Sequence, residues 1–178
     1  TKGQFDDITN LGIKEHCWRG SKADWCIIID MDEFIYHPNL TDFLRNTSAT
    51  LIEPRNYEMF SFEFPTTKGQ IYEEVKLGHE SWPKINLIKP SEITEMNYIP
   101  GCHLANPRGN VNILKTDEIK TLHMKHLGKQ YTIARNTFYG ARMSQRNREL
   151  KLGTHLLRTP EQVSADWDRI TPIITPII

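Results

Sequence analysis

The stretch Ala23-Asp24-Trp25-Cys26-Ile27-Ile28-Ile29-Asp30-Met31-Asp32-Glu33-Phe34 decides how this chain is read. Trp25 to Ile29 is a short apolar run rich in β-branched side chains. It is too short for a helix buried on all sides, so it predicts a strand covered on both faces of a mixed or parallel sheet. Three acids, Asp30, Asp32 and Glu33, follow at once. They fall where that strand leaves the sheet, and the carboxyl edge of an open α/β sheet is where such folds bind ligands. Along an extended segment residues i and i+2 point the same way, which would set the carboxylates of Asp30 and Asp32 side by side. Like charges at that range repel, and a hard divalent cation relieves the repulsion. Mg2+ or Mn2+ takes oxygen ligands and keeps positions open for phosphate oxygens. A solvated acidic loop after a core strand is the competing reading, because Asp-x-Asp is short and common.

Outward from this stretch, a helix is expected over about residues 7 to 19, stopped by Gly20-Ser21. Downstream, Asn39 or Thr41 can cap a short helix over Asp42 to Asn46. Tyr57 to Pro65 alternates as a strand that carries Glu58 and Glu63. Ile71 to His79, with Glu73, Glu74, Lys76 and His79, is too polar for a core element and reads as a loop or edge strand. A further strand is expected over Lys84 to Pro90. Pro100-Gly101 marks a turn that exposes His103, and Asn106 to Asn110 a second turn leading into a hairpin with Val111 to Leu114. Ile119 to Met124 is another strand. Tyr131, Ala134, Phe138, Ala141 and Gln145 recur at helical spacing, predicting one long helix over about 129 to 151 that ends at Gly153. Thr159-Pro160-Glu161-Gln162 opens a last helix. The tail at 171–178 is apolar but split by prolines, and so reads as an extended arm.

The ordered set Asp30-Met31-Asp32-Glu33, Tyr98 to His103, Pro107-Arg108-Gly109, Leu122 to Gly128, then Arg135, Tyr139, Arg142, Ser144 and Asn147 resembles GT-A glycosyltransferases. The similarity is to the broad family 2-like group of bacteria and large viruses, in which the acids form the DxD motif, and it runs over roughly residues 10 to 157. It implies a single α/β domain over 1–178, with a GT-A-like mixed central sheet flanked by helices and a long C-terminal helix. It also implies metal-dependent transfer of a sugar, with inversion, from a nucleotide-sugar donor to a glycan or other hydroxyl acceptor. Mn2+ or Mg2+ would be held by Asp30 and Asp32, with Asp32 the more direct ligand, and by His123; His103 and His126 are the alternatives to that histidine. Asp30 would also meet the donor ribose or phosphates, and Lys125, Arg135 and Arg142 could neutralise the diphosphate. The base for the acceptor hydroxyl is sought in Glu63 or Glu74, with Glu73, Glu80 and Glu95 also open. Trp82 and Tyr98 could stack on sugar faces, although a buried aromatic is the default for each. In such enzymes strand-helix units normally precede the DxD strand. The chain is therefore expected to be a fragment, or to have a donor site that is reduced or completed by another chain.

Two other classes compete. Paired acids at a strand end also serve metal-dependent hydrolases, which usually need a second metal cluster. A non-catalytic carbohydrate-binding or assembly module could keep the shape without the activity.

Lysine plus arginine and aspartate plus glutamate number 22 each in 178 residues. No global field therefore points to nucleic acid or an anionic membrane. Cys17, Cys26 and Cys102 form no paired framework, and His123 and His126 lack the cysteine pair of a zinc finger. No apolar run has the length of a membrane span. A cytoplasmic setting is the expectation, and no oligomeric state is legible.

Overall fold

The computed structural model describes residues 3–66 and 68–178. Its helices are α1 (Asp7–His16), α2 (Leu40–Asn46), α3 (Ile71–Glu74), α4 (Lys129–Ala141), α5 (Gln145–Glu149) and α6 (Pro160–Ile170). The strands are β1 (Cys26–Ile27), β2 (Glu33–Tyr36), β3 (Leu51–Ser61), β4 (Leu77–Glu80), β5 (Leu87–Ile88), β6 (Ile93–Glu95), β7 (Arg108–Gly109), β8 (Ile113–Leu127) and β9 (Thr175–Pro176). Among the described residues the main sheet runs β1-β5-β3-β4-β9, with β8 pairing β3 and β2, while β6 and β7 pair separately. The fold is α/β, a sheet accompanied by helices and followed by a helix near the carboxyl end. The chain divides into two compact units. One holds Ile8–Asn56 and Ser81–Leu122; the other holds Tyr57–Glu80, His123–Ile178 and the amino-terminal residues up to Asp7.

In the first unit the pleat sorts side chains to two faces. Leu51 lies opposite Ile88 and Ile52 opposite Leu87 across an antiparallel register. Leu51 and Ile88 pack with Trp18, Ile85, Ile93, Met96 and Tyr98 on one face. Ile52 and Leu87 pack with Ala49 and Ile119, and with Leu40, Phe43 and Leu44 of α2, on the other. Each such aliphatic side chain withdrawn from water contributes about 1.5–3 kcal/mol. The run Trp25 to Ile29 does not become the doubly covered strand its composition suggests. Only Cys26 and Ile27 pair, antiparallel to β5 at the end of the sheet path, and Ile27 is 41% exposed. Its apolar content is divided: Cys26 and Ile28 pack on the Trp18 cluster, and Trp25 on the cluster of Ile52 and Leu87.

Other boundaries moved for local reasons. β3 starts six residues before the alternating stretch, because Leu51 and Ile52 pair with β5 upstream of Pro54. The 71–79 segment splits into α3 and β4, and β7 pairs with β6 rather than forming a hairpin with Val111 to Leu114. The strand expected over 119 to 124 belongs to the fifteen-residue β8.

In the second unit the helix expected over 129 to 151 is broken into α4 and α5. Phe5 bridges Met143, its N–H donating to the Arg142 carbonyl at 2.8 Å and its carbonyl accepting from Ser144 N–H at 2.8 Å. Those groups leave the helical ladder, and Ser144 restarts it as the cap of α5, accepting from Asn147 N–H at 3.1 Å. Asp6 accepts from the Ser144 hydroxyl at 2.7 Å, and the Asn147 side-chain amide accepts from Asp7 N–H through Oδ1 and donates to Asp7 Oδ2 through Nδ2. Gly153 takes φ +62 ahead of a 3-10 turn. α6 opens on the Thr159/Gln162 capping box, as its sequence predicts, and Trp167 stacks on Phe60 at 4.2 Å. The tail expected to be extended over 171–178 begins with a 3-10 turn at Thr171–Ile173 and is extended after it, where Thr175 and Pro176 pair with Gly78 and Leu77.

Gly140 is buried in α4 where an added Cβ would collide with the Leu156 carbonyl oxygen. Helix propensity alone would favour alanine by about 0.5–1 kcal/mol. Gly140→Ala is nevertheless expected to lose about 1–3 kcal/mol in urea unfolding through overpacking. An unchanged or raised midpoint would contradict this packing of α4.

Candidate functional site

The acids after β1 lie on a β-turn, not on an extended segment. Glu33 N–H donates to the Asp30 carbonyl at 3.1 Å, which places Met31 and Asp32 at the corner. The i, i+2 alternation that would set Asp30 beside Asp32 therefore does not operate here. Glu33 reaches back to close the turn, its Oε2 accepting from Asp30 N–H at 3.0 Å. Its Oε1 takes Lys84 Nζ at 2.5 Å, and the glutamate side chain is only 1% exposed.

Asp30 shares the same lysine. Lys84 Nζ lies 3.2 Å from Asp30 Oδ2, and Lys14 Nζ, from α1, lies 2.6 Å from Oδ1. Both lysine side chains are largely buried, with the ammonium groups turned to these carboxylates. Burial alone would raise the Asp30 pKa, but Lys84 and Lys14 outweigh it and hold the carboxyl below its ordinary value. Burial alone would depress Lys84, and Glu33 and Asp30 reverse that, so its pKa is raised. The group is thus two carboxylates and two ammoniums, with Asp32, half-buried, on the adjacent corner.

The surroundings carry the aromatic and histidine candidates of this unit. Tyr98 is buried and donates its hydroxyl to the Ile85 carbonyl at 2.9 Å, so its ring belongs to the core and is not offered to a sugar. Trp82 is 76% exposed. His103 is exposed, as expected, and bonds the backbone of Pro83 and Trp82. Burial and the nearby Lys84 ammonium push its pKa down, favouring the neutral ring.

Glu95 also lies in this unit, on β6, where it pairs with Arg108 at 3.4 Å; the other predicted residues lie in the second unit, together with His123, which sits half-buried on β8. Glu63 is exposed in the bend after β3. Glu74 is exposed at the end of α3, where its Oε1 accepts from Thr66 N–H at 3.3 Å. Arg135 lies over the Tyr139 ring at 5.1 Å. Arg142 lies over Phe138 at 4.7 Å and donates to the Gly3 carbonyl at 2.5 Å. Lys125 pairs with Glu58 at 2.6 Å.

Glu58 leads to a group that sequence spacing did not assemble. The β3–β4 register sets Glu58 directly opposite His79, and His126 of β8 places Nε2 3.1 Å from Glu58 Oε2. One atom from each of Glu58, His79 and His126 lies within 4.8 Å of the other two. It is the one such trio of metal-ligating side chains among the described residues. The only signal in the sequence was a glutamate beside the apolar pair Met59-Phe60 of a strand, since residues 58, 79 and 126 share no local motif. Burial would raise the Glu58 pKa, but His126 and Lys125 hold it far below the usual carboxylate range; burial likewise keeps His126 neutral.

No helix among the described residues is long and apolar enough to cross a membrane. Comparison with protein-family models, with curated proteins and with solved structures finds no match for this chain.

Lys84→Met would leave the Glu33 carboxylate buried without its cation, at a cost of about 3–5 kcal/mol. Lys84→Met with Glu33→Gln is expected to be less destabilised than Lys84→Met alone; a cycle with no coupling would show that the pair is not formed. The pH dependence has a defined sign. Asp30, depressed from 3.8, contributes stability above that value that is lost as pH falls. Lys84, raised from 10.5, contributes below that value and its share is lost as pH rises past it. Stability followed from acid to alkaline pH should show both limbs, and the alkaline limb should shrink in Lys84→Met.

Proposed function

We propose that the chain is a divalent-cation-dependent glycosyltransferase, moving a sugar with inversion from a nucleotide-diphosphate donor to a carbohydrate or other hydroxyl acceptor, with Mn2+ or Mg2+ as cofactor. The resemblance in the ordered motifs suggests this class. The observation that carries it is that Lys14 and Lys84 face Asp30, with Asp32 at the corner of the same turn. A cation–diphosphate pair needs carboxylate oxygens for the metal and ammonium groups for the phosphate oxygens, and this group supplies both. Asp30 and Asp32 would hold the cation, which would offset charge on the leaving diphosphate. Lys14 and Lys84 would exchange Asp30 for phosphate oxygens. The exposed Trp82 ring in the same unit offers a face for a sugar. For His123, Lys125, Arg135 and Arg142, and for the exposed Glu63 and Glu74 as bases, the motif resemblance is the sole support. Three free cysteines fit a reducing compartment such as the cytoplasm.

One observation favours a second reading, a non-catalytic carbohydrate-binding or assembly module. Asp30 and Glu33 are already balanced by Lys14 and Lys84, an arrangement that is complete without a metal.

Calorimetric titration of UDP and GDP, with and without Mn2+, separates the two. The transferase reading expects manganese-dependent binding of one nucleotide, weakened at least tenfold in Asp32→Ala. A folded wild type that binds neither nucleotide with Mn2+ or Mg2+ would leave the module reading in its place.

A further inference from the structure

We propose that Glu58, His79 and His126 form a binding site for one transition-metal ion, Zn2+ foremost, separate from the acids after β1.

The hydrogen bonds around His79 define its chemistry. Its Nδ1 lies 3.0 Å from the Glu80 carbonyl oxygen, which can only accept, so Nδ1 carries the proton. In the neutral ring Nε2 is then a bare lone pair. That atom is buried with no hydrogen-bond partner, and it stands 3.6 Å from Glu58 Oε2. A lone pair facing a carboxylate oxygen is repulsive unless something positive lies between them. The Nδ1–H···O=C bond is also how metal-ligating histidines are commonly held, the second nitrogen fixing the tautomer that frees the first.

The spacing suits an ion. A tetrahedral Zn2+ about 2.1 Å from each ligand sets ligand atoms about 3.4 Å apart. Glu58 Oε2 stands 3.1 Å from His126 Nε2 and 3.6 Å from His79 Nε2, on either side of that value. His126 donates from Nε2 to Glu58 in this arrangement, and its Nδ1 is buried without a hydrogen-bond partner. Ligation through Nε2 moves that proton to Nδ1, so the neutral ring changes tautomer and no proton is lost. Lys125 takes the other carboxylate oxygen, Oε1, at 2.6 Å and thereby holds Glu58 with Oε2 turned to the two rings. Two imidazoles and one carboxylate suit Zn2+ and its transition-metal neighbours rather than Mg2+ or Ca2+. Three protein ligands leave a fourth position for water or another small ligand.

Two strands and a third neighbour bring the ligands together without a loop. Glu58 and His79 are cross-strand partners, His126 comes from β8, and Phe60 and Trp167 lie beside the His126 ring at 6.2 and 6.3 Å between ring centroids. Ligands on strands are held more narrowly than ligands on loops.

The test titrates Zn2+ into the whole chain after chelator treatment, followed by calorimetry, with Co2+ as a spectroscopic probe. Wild type is expected to bind one equivalent and to give the visible absorption of a tetrahedral cobalt site. Glu58→Gln, His79→Gln and His126→Gln should each weaken binding at least tenfold, whereas Glu118→Gln, at an exposed position, should leave it unchanged. His79 is half-buried, so His79→Gln decides the matter should the variants at the more buried positions not fold, with circular dichroism confirming its fold. No zinc bound by wild type, or binding undiminished in folded His79→Gln, would overturn the proposal. Because the nucleotide titration depends on Asp32 and this one on His79, failure of either leaves the other standing.

Discussion

A carboxylate taken out of water needs a counter-charge or a set of donors, and much of this chain is arranged around meeting that need. An unpaired buried charge costs several kcal/mol, a large part of the whole stability of a domain of this size. Glu33, sealed from solvent, is met by Lys84, itself buried and useful only because two acids share it. Asp6 is met by the Ser144 hydroxyl and by Arg146. Glu15 accepts from the backbone N–H groups of Met96 and Tyr98 and so ties α1 to the segment before the 100–102 turn. These pairs join residues 51 to 140 positions apart in sequence. They specify which elements meet, where the apolar contacts alone would tolerate several arrangements.

What the sequence disclosed and what it withheld follow the range of the interactions involved. Local chemistry was legible: the Thr159 capping box, the start of the first helix at Asp7, though it ends at His16 and not at Gly20, and the α/β class itself. Long-range competition was not. A 3.6-residue period continues through Arg142 to Ser144, and only the insertion of Phe5 withdraws those backbone groups from the helix. The run Trp25 to Ile29 has the composition of a covered strand, yet its place at the end of the sheet path leaves Ile27 facing water. Asp30 and Asp32 were visible as acids, but their mutual geometry depends on a turn closed by the glutamate that follows. For Glu58, His79 and His126 the relevant proximity is a strand register, which no spacing in the sequence encodes.

The two acidic groups differ in what remains after their internal bonds are counted. Around Asp30 and Glu33 the charges cancel, and a ligand would enter by exchange, lysine for lysine and carboxylate for carboxylate. Around Glu58 the balance is incomplete in a specific way, because two ring nitrogens stay buried with no hydrogen-bond partner. Exchange and direct ligation respond differently to ionic strength: the first trades ion pairs that salt also weakens, while the second adds bonds to partly buried side chains.

The pairing of Thr175-Pro176 with β4 has a bearing on solubility. An open strand flank displays a row of unmet amide and carbonyl groups, a template onto which another molecule can zip. Here that flank of β4 is taken by the chain's own tail, and the strand that becomes outermost carries Pro176, which has no amide hydrogen to offer a newcomer. The tail thus works as a guard against uncontrolled self-association, covering one adhesive border with a segment that makes a poor border itself.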